Sequence, residues 1–155
     1  MISDDDGSLQ ISLLVDQLAV PSWSRDCTEE GGRRGGILYL ILIKDRGKEG
    51  RERRQRIRET WAAFLPPGHR YVFVLVAEAL EAGEEEDLVV VDIPGSDLYT
   101  EHRQRVAALY FSFSLCLPPT LTVLLDQTVL VNPPAMQGLA DREDTAANRQ
   151  NISSF

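Results

Sequence analysis

The segment TVLLDQTVLVN, residues 122–132, contains the side chains with the clearest chemical potential in this chain. Asp126, Gln127 and Thr128 interrupt a run of Val and Leu that is otherwise apolar enough to be buried. A carboxylate taken into a core without a partner costs several kcal/mol. We therefore expect Asp126 to lie at a strand end or to be bound to another group.

Other charged residues follow apolar runs in the same way. Lys44 and Asp45 come directly after ILYLILI (37–43), and Asp92 lies near the end of DLVVVDI (87–93). In open parallel sheets, ligands bind in the crevice beyond the carboxyl ends of the strands. The sequence thus predicts a ligand crevice that is lined by these residues together with Asp126.

Four continuous apolar runs, at 37–43, 71–76, 87–93 and 121–125, predict strands that are buried on both faces. Between them, the sequence predicts two amphipathic helices. Strands that alternate with helices favour right-handed parallel crossovers. The expected fold is therefore α/β, with a mostly parallel sheet flanked by helices.

Each predicted helix has an apolar face by spacing. The first covers residues 49–63, and the second has about 17 residues and follows the turn PGSD at 94–97. The predicted faces consist of Ile57, Trp61 and Phe64 in the first helix, and of Val106, Leu109, Tyr110 and Phe113 in the second.

The 155 residues suit one domain. We expect a partly disordered N-terminal segment at 1–36, the α/β domain at 37–140 and a polar tail at 141–155. The glycines of GGRRGG (31–36) precede a strand, whereas a phosphate loop follows one and opens a helix. They are interpreted as a flexible entry to the domain.

Charge is distributed unevenly along the chain. Residues 44–58 carry eight basic and three acidic side chains, a local charge of +5 within a total of −8, so the remainder sums to −13. This basic segment is interpreted either as a solvated helix face with i,i+4 ion pairs or as an anion-binding surface. Binding of nucleic acid or an acidic protein by this segment on an unrelated domain is the least favoured interpretation, because aromatic residues are not interleaved with the basic ones and the rest of the chain carries −13.

The remaining signals are weak. Whether Cys27 and Cys116 pair depends on a distance that the sequence does not give. His69 and His102 have no partners at metal-ligand spacing and are predicted to be surface residues. The most apolar run, 106–117, has 12 residues where a bilayer needs about 20, so no membrane segment is expected. The sequon NIS at 151–153 is taken as a chance occurrence.

Three motifs follow one another along the chain: RRQRIRETW (53–61), DLVVVDIPGSDLYTEHR (87–103) and LCLPPTLTVLLDQTVLVN (115–132). In this order they resemble the beta-1,3-galactosyltransferase family, Golgi glycosyltransferases that move a sugar from a UDP-sugar to a glycan hydroxyl. RRQRIRETW (53–61) is similar to the family's RRxxIRxTW helix. DLVVVDIPGSDLYTEHR (87–103) matches at Asp92 and Ser96 and has Arg103 where Lys is usual. LCLPPTLTVLLDQTVLVN (115–132) has the layout of the family's metal-motif segment. The matching positions of this last segment are Cys116, Asp126, Val129, Val131 and Asn132.

The resemblance spans about Ile37 to Leu139. It implies a Rossmann-like fold, the nucleotide-binding half of a GT-A type glycosyltransferase domain. It also implies that the donor nucleotide is bound by residues of the matching motifs. These are Arg53, Arg54, Arg58, Asp92, Arg103 and Asp126.

A divalent cation, Mn²⁺ or another, is the cofactor that the resemblance implies, with Asp126 as its ligand. The family's DxD motif reads here Asp126, Gln127 and Thr128, so Thr128 stands where the family has its most consistent metal-binding carboxylate. A neutral hydroxyl is a poorer ligand than a carboxylate. The motif therefore predicts weakened metal binding.

Three hypotheses follow from the sequence. The first is a Golgi hexosyltransferase with a UDP-sugar donor and a glycan acceptor, impaired or incomplete because only 23 residues follow Asn132 and the family's acceptor half lies beyond this point. The second is a non-catalytic module that binds a nucleotide or a partner. The third is an unrelated α/β domain whose basic helix binds nucleic acid or an acidic protein.

Overall fold

Strand β2, Ile37–Ile43, lies inside a five-stranded sheet, and all seven of its residues are buried. The computed structural model describes residues 18–28, 36–45, 47–76, 86–91 and 100–142. The spatial order of the strands is β1-β4-β3-β2-β5. Their bounds are β1 Leu18–Ala19, β2 Ile37–Ile43, β3 His69–Val76, β4 Leu88–Val91 and β5 Leu121–Asp126. Strands β2 to β5 are mutually parallel and β1 is antiparallel to β4.

Helices cover both faces of this sheet. Helix α1 (Gly47–Glu59), the 3₁₀ turn Trp61–Phe64 and helix α3 (133–142) pack on one face, and helix α2 (Thr100–Phe113) packs on the other. The mostly parallel α/β sheet flanked by helices is thus confirmed. The four predicted strands are present, and Asp126 is the last residue of β5, at a strand end.

The predicted apolar face of the first helix is correct in part. Ile57 and Trp61 are buried, but Phe64 is 78% exposed, so its prediction as a core residue is wrong. Helix α1 ends at Glu59, and Thr60 has φ −106° and ψ −115°, which is not helical. The period of 3.6 residues is therefore broken before Phe64.

The predicted apolar face of the second helix is wrong. Val106, Leu109, Tyr110 and Phe113 are between 37% and 85% exposed. The buried face consists of Gln104, Ala107, Ala108, Phe111 and Ser112. The small side chains of the two alanines let the helix pack close to the sheet. Phe111 packs edge to face against Trp23, with 6.2 Å between the ring centroids. The helix has 14 residues rather than about 17.

The part of the N-terminal segment at 18–28 is packed on the domain. The indole Nε1 of Trp23 donates to the carbonyl of Glu86 at 3.0 Å, and a disulfide joins Cys27 to Cys116 after α2. The disulfide decides the pairing that the sequence left open. Residues 1–17, 29–35 and 143–155, which include most of the predicted N-terminal segment and polar tail, lie outside the described residues.

The last glycine of GGRRGG, Gly36, directly precedes β2, and the other five residues of this motif, predicted to be a flexible entry, lie outside the described residues. Gly36 has φ 82°, and a Cβ built on it would collide with the carbonyl oxygen of Gly68. The carbonyl of Gly36 also accepts from the backbone N–H of Thr120 at 2.9 Å. This position requires glycine because the left-handed backbone region and the close approach both exclude a side chain.

None of the helices in the described part of the chain has both the length and the apolar character needed to cross a bilayer.

Candidate functional site

The strand order reverses between β2 and β5. The chain proceeds from β2 to β3 and β4 on one side, then returns to place β5 on the other side of β2. Ligands of open α/β sheets bind at such a switch point, beyond the carboxyl ends of the two strands. Leu42 of β2 is paired with Asp126 of β5, so the residues after both strands meet here.

Lys44 lies between two carboxylates at this point. Its Nζ is 3.2 Å from Oδ2 of Asp126 and 3.2 Å from Oε1 of Glu101, in the first turn of α2. The other oxygen of Asp126, Oδ1, accepts from the backbone N–H and the hydroxyl of Thr128, both at 3.1 Å. Each oxygen of Asp126 is therefore engaged within the chain.

These contacts favour the charged forms of Lys44 and Asp126. Hydrogen bonding to Asp126, followed by that to Glu101, raises the pKa of Lys44. The backbone N–H of Thr128 makes the largest contribution to a lowered pKa of Asp126, with further contributions from Lys44 and the Thr128 hydroxyl that outweigh the opposing effect of burial.

Gln127 connects the ends of the two strands. Its Oε1 accepts from the backbone N–H of Lys44 at 2.9 Å and, more weakly, from that of Asp45 at 3.4 Å. Its Nε2 donates to Oδ2 of Asp45 at 3.1 Å, and the same oxygen accepts from Nε of Arg53 at 2.8 Å. Arg53 and Asp126 thus belong to one cluster that is linked through Gln127.

The contacts described above do not include the other predicted donor-binding residues. Arg54 is 4% exposed and lies inside the domain. Arg58 forms a two-bond ion pair with Asp87, just before β4, at 2.7 and 2.8 Å. Arg103 is partly buried on α2, and Asp92 lies outside the described residues. Among the described residues of this set, the contacts given above bring Arg53 and Asp126 together.

The residues at this crevice do not fit a divalent cation. A cation bound by Asp126 requires free carboxylate oxygens, but Lys44 takes one and Thr128 takes the other. The Thr128 hydroxyl, at the position of the family's second carboxylate, donates to Asp126. The ammonium of Lys44 would also repel a metal ion placed beside it.

A cavity of about 590 Å³ lies near the amino ends of β3 and β4. Its described lining is mixed: Trp23, Arg58, Ala62, Leu65, His69, Arg70, Tyr71, Glu86 and Asp87. The guanidinium of Arg70 lies over the Trp23 ring at 4.6 Å from the centroid. Burial, with Asp87 nearby, raises the pKa of Tyr71. Arg58 therefore faces this end of the sheet and not the switch point.

The prediction that His69 is a surface residue is wrong, whereas His102 is exposed as predicted. His69 is 7% exposed; its Nδ1 is 3.0 Å from the Tyr39 hydroxyl and its Nε2 is 2.6 Å from Oε1 of Gln137. Because Gln137 is on α3, this contact fastens that helix to the start of β3. Burial raises the pKa of Tyr39 to about 12.

Two residues near the crevice were missed by the sequence analysis. Glu101 shares Lys44 with Asp126, and Gln104 is buried, with its Nε2 2.9 Å from the carbonyl of Ile43 and 2.7 Å from that of Val74. Gln104 therefore holds the residue before Lys44 in place. Its spacing of three and four residues from Ala107 and Ala108, on the same helix face, is the signal that identifies it.

Comparisons of this chain with family models, with curated proteins and with solved structures gave no match. The resemblance to glycosyltransferases therefore rests on the three motifs and their order along the chain.

Proposed function

We propose that this chain is a donor-binding unit of the beta-1,3-galactosyltransferase kind, a Rossmann-like half of a GT-A domain that binds a UDP-sugar. The diphosphate occupies the crevice between the ends of β2 and β5, beside Lys44 and Arg53. The observation that carries the proposal is the contact of Lys44 with Asp126 at the strand-order switch, at 3.2 Å.

The division of labour within RRQRIRETW supports this proposal. Arg53 is at the crevice, paired with Asp45, while Ile57 and Trp61 are in the core that holds α1 on the sheet. A motif with one residue at the ligand and two in the core is expected for a helix that must present a cation at a fixed place. The motif thus combines a binding role with a positioning role.

The chemistry at the crevice suits a leaving diphosphate. In hexosyl transfer, the acceptor hydroxyl loses its proton to a base and its oxygen bonds to the anomeric carbon. The bond from that carbon to the UDP oxygen breaks, and its electron pair leaves with the diphosphate. Negative charge then develops on the diphosphate, and nearby cations stabilise it. Lys44 and Arg53 would supply this stabilisation.

The disulfide supports the compartment that this function implies. Disulfides persist in oxidising compartments, including the secretory pathway, and are rare in the cytosol. The bridge between Cys27 and Cys116 closes 89 residues of separation, so it constrains most of the domain. We propose a Golgi-type lumen as the site of action.

A non-catalytic binding module is the alternative, because Asp126 is fully engaged by Lys44 and Thr128. Such a module would bind UDP without releasing it from a UDP-sugar. Incubation with UDP-galactose and with UDP-N-acetylhexosamine, followed by measurement of free UDP, separates the two functions. Release of UDP above the rate without protein favours the transferase.

Titration calorimetry with UDP tests the shared claim that the crevice binds the nucleotide. We expect Lys44→Ala and Arg53→Ala each to weaken UDP binding by about tenfold or more, since each removes a charge-assisted contact. Lys48→Ala is the matched control, because Lys48 is 82% exposed and pairs only with Glu52 among the described residues. Equal UDP affinity in all four proteins would contradict the proposed site.

A further inference from the structure

We propose that the ammonium of Lys44 takes the place of the divalent cation in this crevice, so that the chain binds a nucleotide diphosphate without a metal. The diphosphate part rests on the proposed function. The part that concerns Lys44 and the metal rests on the geometry of three side chains and can be tested by itself.

The position of Lys44 is that of a bridging cation. Its Nζ is equally distant, at 3.2 Å, from one oxygen of Asp126 and one of Glu101. Those two oxygens are therefore at most 6.4 Å apart, the sum of the two distances. The two carboxylates come from different elements, β5 and α2, and the ammonium joins them as a shared metal ion would.

The surroundings of Asp126 reinforce this arrangement. Its second oxygen is saturated by the N–H and hydroxyl of Thr128, and its neighbour Gln127 is turned away toward Asp45. A metal ion would have to displace the ammonium to reach Oδ2, the oxygen of Asp126 that Thr128 does not contact. Hard cations that bridge phosphates need at least one carboxylate with free lone pairs.

The crevice can still receive a diphosphate. An ammonium has three N–H donors, and two of those of Lys44 are directed to carboxylates; the third is engaged by no residue of the described ranges. Glu101 also accepts from Arg105 at 3.0 Å, so it retains a cation if Lys44 turns toward a phosphate. Lys44 and Arg53 together then neutralise two negative charges of the ligand.

The first experiment uses Mn²⁺ alone and the full chain, with binding followed by electron paramagnetic resonance. We expect no specific Mn²⁺ site in the unchanged protein. Lys44→Ala frees Asp126 and Glu101 and should create one site, with a dissociation constant of about 1 mM or tighter. Lys44→Gln is the second variant and should behave in the same way. Lys48→Ala removes a lysine without freeing this pair and should gain nothing.

The double variant Lys44→Ala with Asp126→Asn should lose the gained site, which assigns it to Asp126. A single Mn²⁺ site in the unchanged protein that disappears in Asp126→Asn would overturn the proposal. So would the absence of any gain in both Lys44 variants when their circular dichroism shows them to be folded.

The second experiment titrates UDP with excess EDTA and with Mn²⁺. We expect the two affinities to agree within about twofold. An affinity that rises at least about tenfold with Mn²⁺ would refute metal-free binding while upholding the nucleotide site. If UDP does not bind under either condition, the proposed function fails, and the Mn²⁺ measurements still decide whether Lys44 holds the cation position.

Discussion

Gln127 donates from Nε2 to Oδ2 of Asp45 at 3.1 Å, and this bond joins the residue after β5 to the second residue after β2. The same Asp45 oxygen accepts from Arg53, and the Gln127 carbonyl accepts from the backbone of Lys44. The side-chain amide of Gln127 therefore accepts from the backbone N–H of Lys44 and donates to the carboxylate of Asp45, which are adjacent residues after β2. The crevice is built before any ligand arrives.

Replacing Gln127 with Glu should destabilise the protein. The change keeps the acceptor for Lys44 but directs a carboxylate at Asp45, so we expect a loss of about 1 to 3 kcal/mol in the free energy of unfolding at pH 7. Because it would face Asp45, we expect the introduced carboxyl to have a raised pKa in the folded state. Its penalty should be absent below its unfolded pKa and be complete once the pH has risen through the folded one. Urea unfolding at several pH values measures this.

The control for this change is Gln55→Glu, which places a carboxylate beside Glu59 on the exposed side of α1. Like charges four residues apart on a helix surface cost about 0.5 kcal/mol or less. If Gln127→Glu and Gln55→Glu lower the free energy of unfolding equally, the contact of Gln127 with Asp45 contributes no more to stability than a surface contact.

Replacing Arg58 with Met should weaken folding but not nucleotide binding. Arg58 and Asp87 form a two-bond pair whose side chains are only 22% and 20% exposed, and Arg58 also lies over the Phe73 ring. Removing one member of such a pair leaves a poorly solvated charge, so we expect a loss of about 2 to 4 kcal/mol. Lys48→Met, at an exposed pair, should cost no more than about 1 kcal/mol.

The nucleotide measurement on Arg58→Met, made where the variant is folded, decides between two roles for this arginine. Unchanged UDP affinity assigns it to the fold. A weakening like that of Arg53→Ala would restore it to the donor site that the family resemblance implies.

Reduction of the disulfide should lower stability substantially. Closing a loop of about 90 residues restricts the unfolded chain by about 4 to 5 kcal/mol on the chain-entropy account. The bridge joins Cys27 to Cys116, and we expect a reductant to lower the thermal midpoint. In the Cys27→Ala, Cys116→Ala double variant, the midpoint should already be low and should not respond to reductant. A change of the thermal midpoint of this double variant on adding reductant would show that the reductant acts on stability by a route other than the disulfide.

The carboxyl of Asp126 should titrate below the ordinary range of aspartate. The stability that this lowered pKa contributes is present above the unfolded pKa and is lost as pH falls through the folded one. Carboxyl carbon NMR measures the titration directly. In Lys44→Ala the pKa should rise but remain lowered, because the backbone N–H of Thr128 is its largest cause. A pKa at the ordinary value in this variant would contradict that order of causes.

The sheet could be predicted because each of its four parallel strands contains a continuous apolar run. A short run of this kind is typical of a strand whose two faces are both buried. The face of α2 could not, because both of its sides are apolar. Val106 and Phe113 match a helical stripe as well as Ala107 and Phe111 do. The side that packs on the sheet is the one with the small residues Ala107 and Ala108. Which side packs there depends on how closely the helix can approach the sheet, and both sides are hydrophobic enough.

The candidate site, too, could be predicted from the sequence only in part. The rule on strand ends brought Lys44, Asp45 and Asp126 together correctly. The arginines of α1 were grouped by motif, but a helix turns about 100° per residue. Arg54 and Arg58, four residues apart, therefore share a side, and Arg53 is directed elsewhere. Glu101 contacts Lys44 from α2, and no local sequence pattern predicts this tertiary contact.

The pairing of β2 with β5 also sets an order of events during synthesis. Ile37 is paired with Leu121, 84 residues later, so one edge of the most apolar strand has no partner until nearly the whole domain has left the ribosome. Contacts of such long sequence separation slow folding, and an open apolar edge invites association with other chains. The strand order that creates the crevice thus leaves an apolar strand edge of the nascent chain open to association until Leu121 has been made.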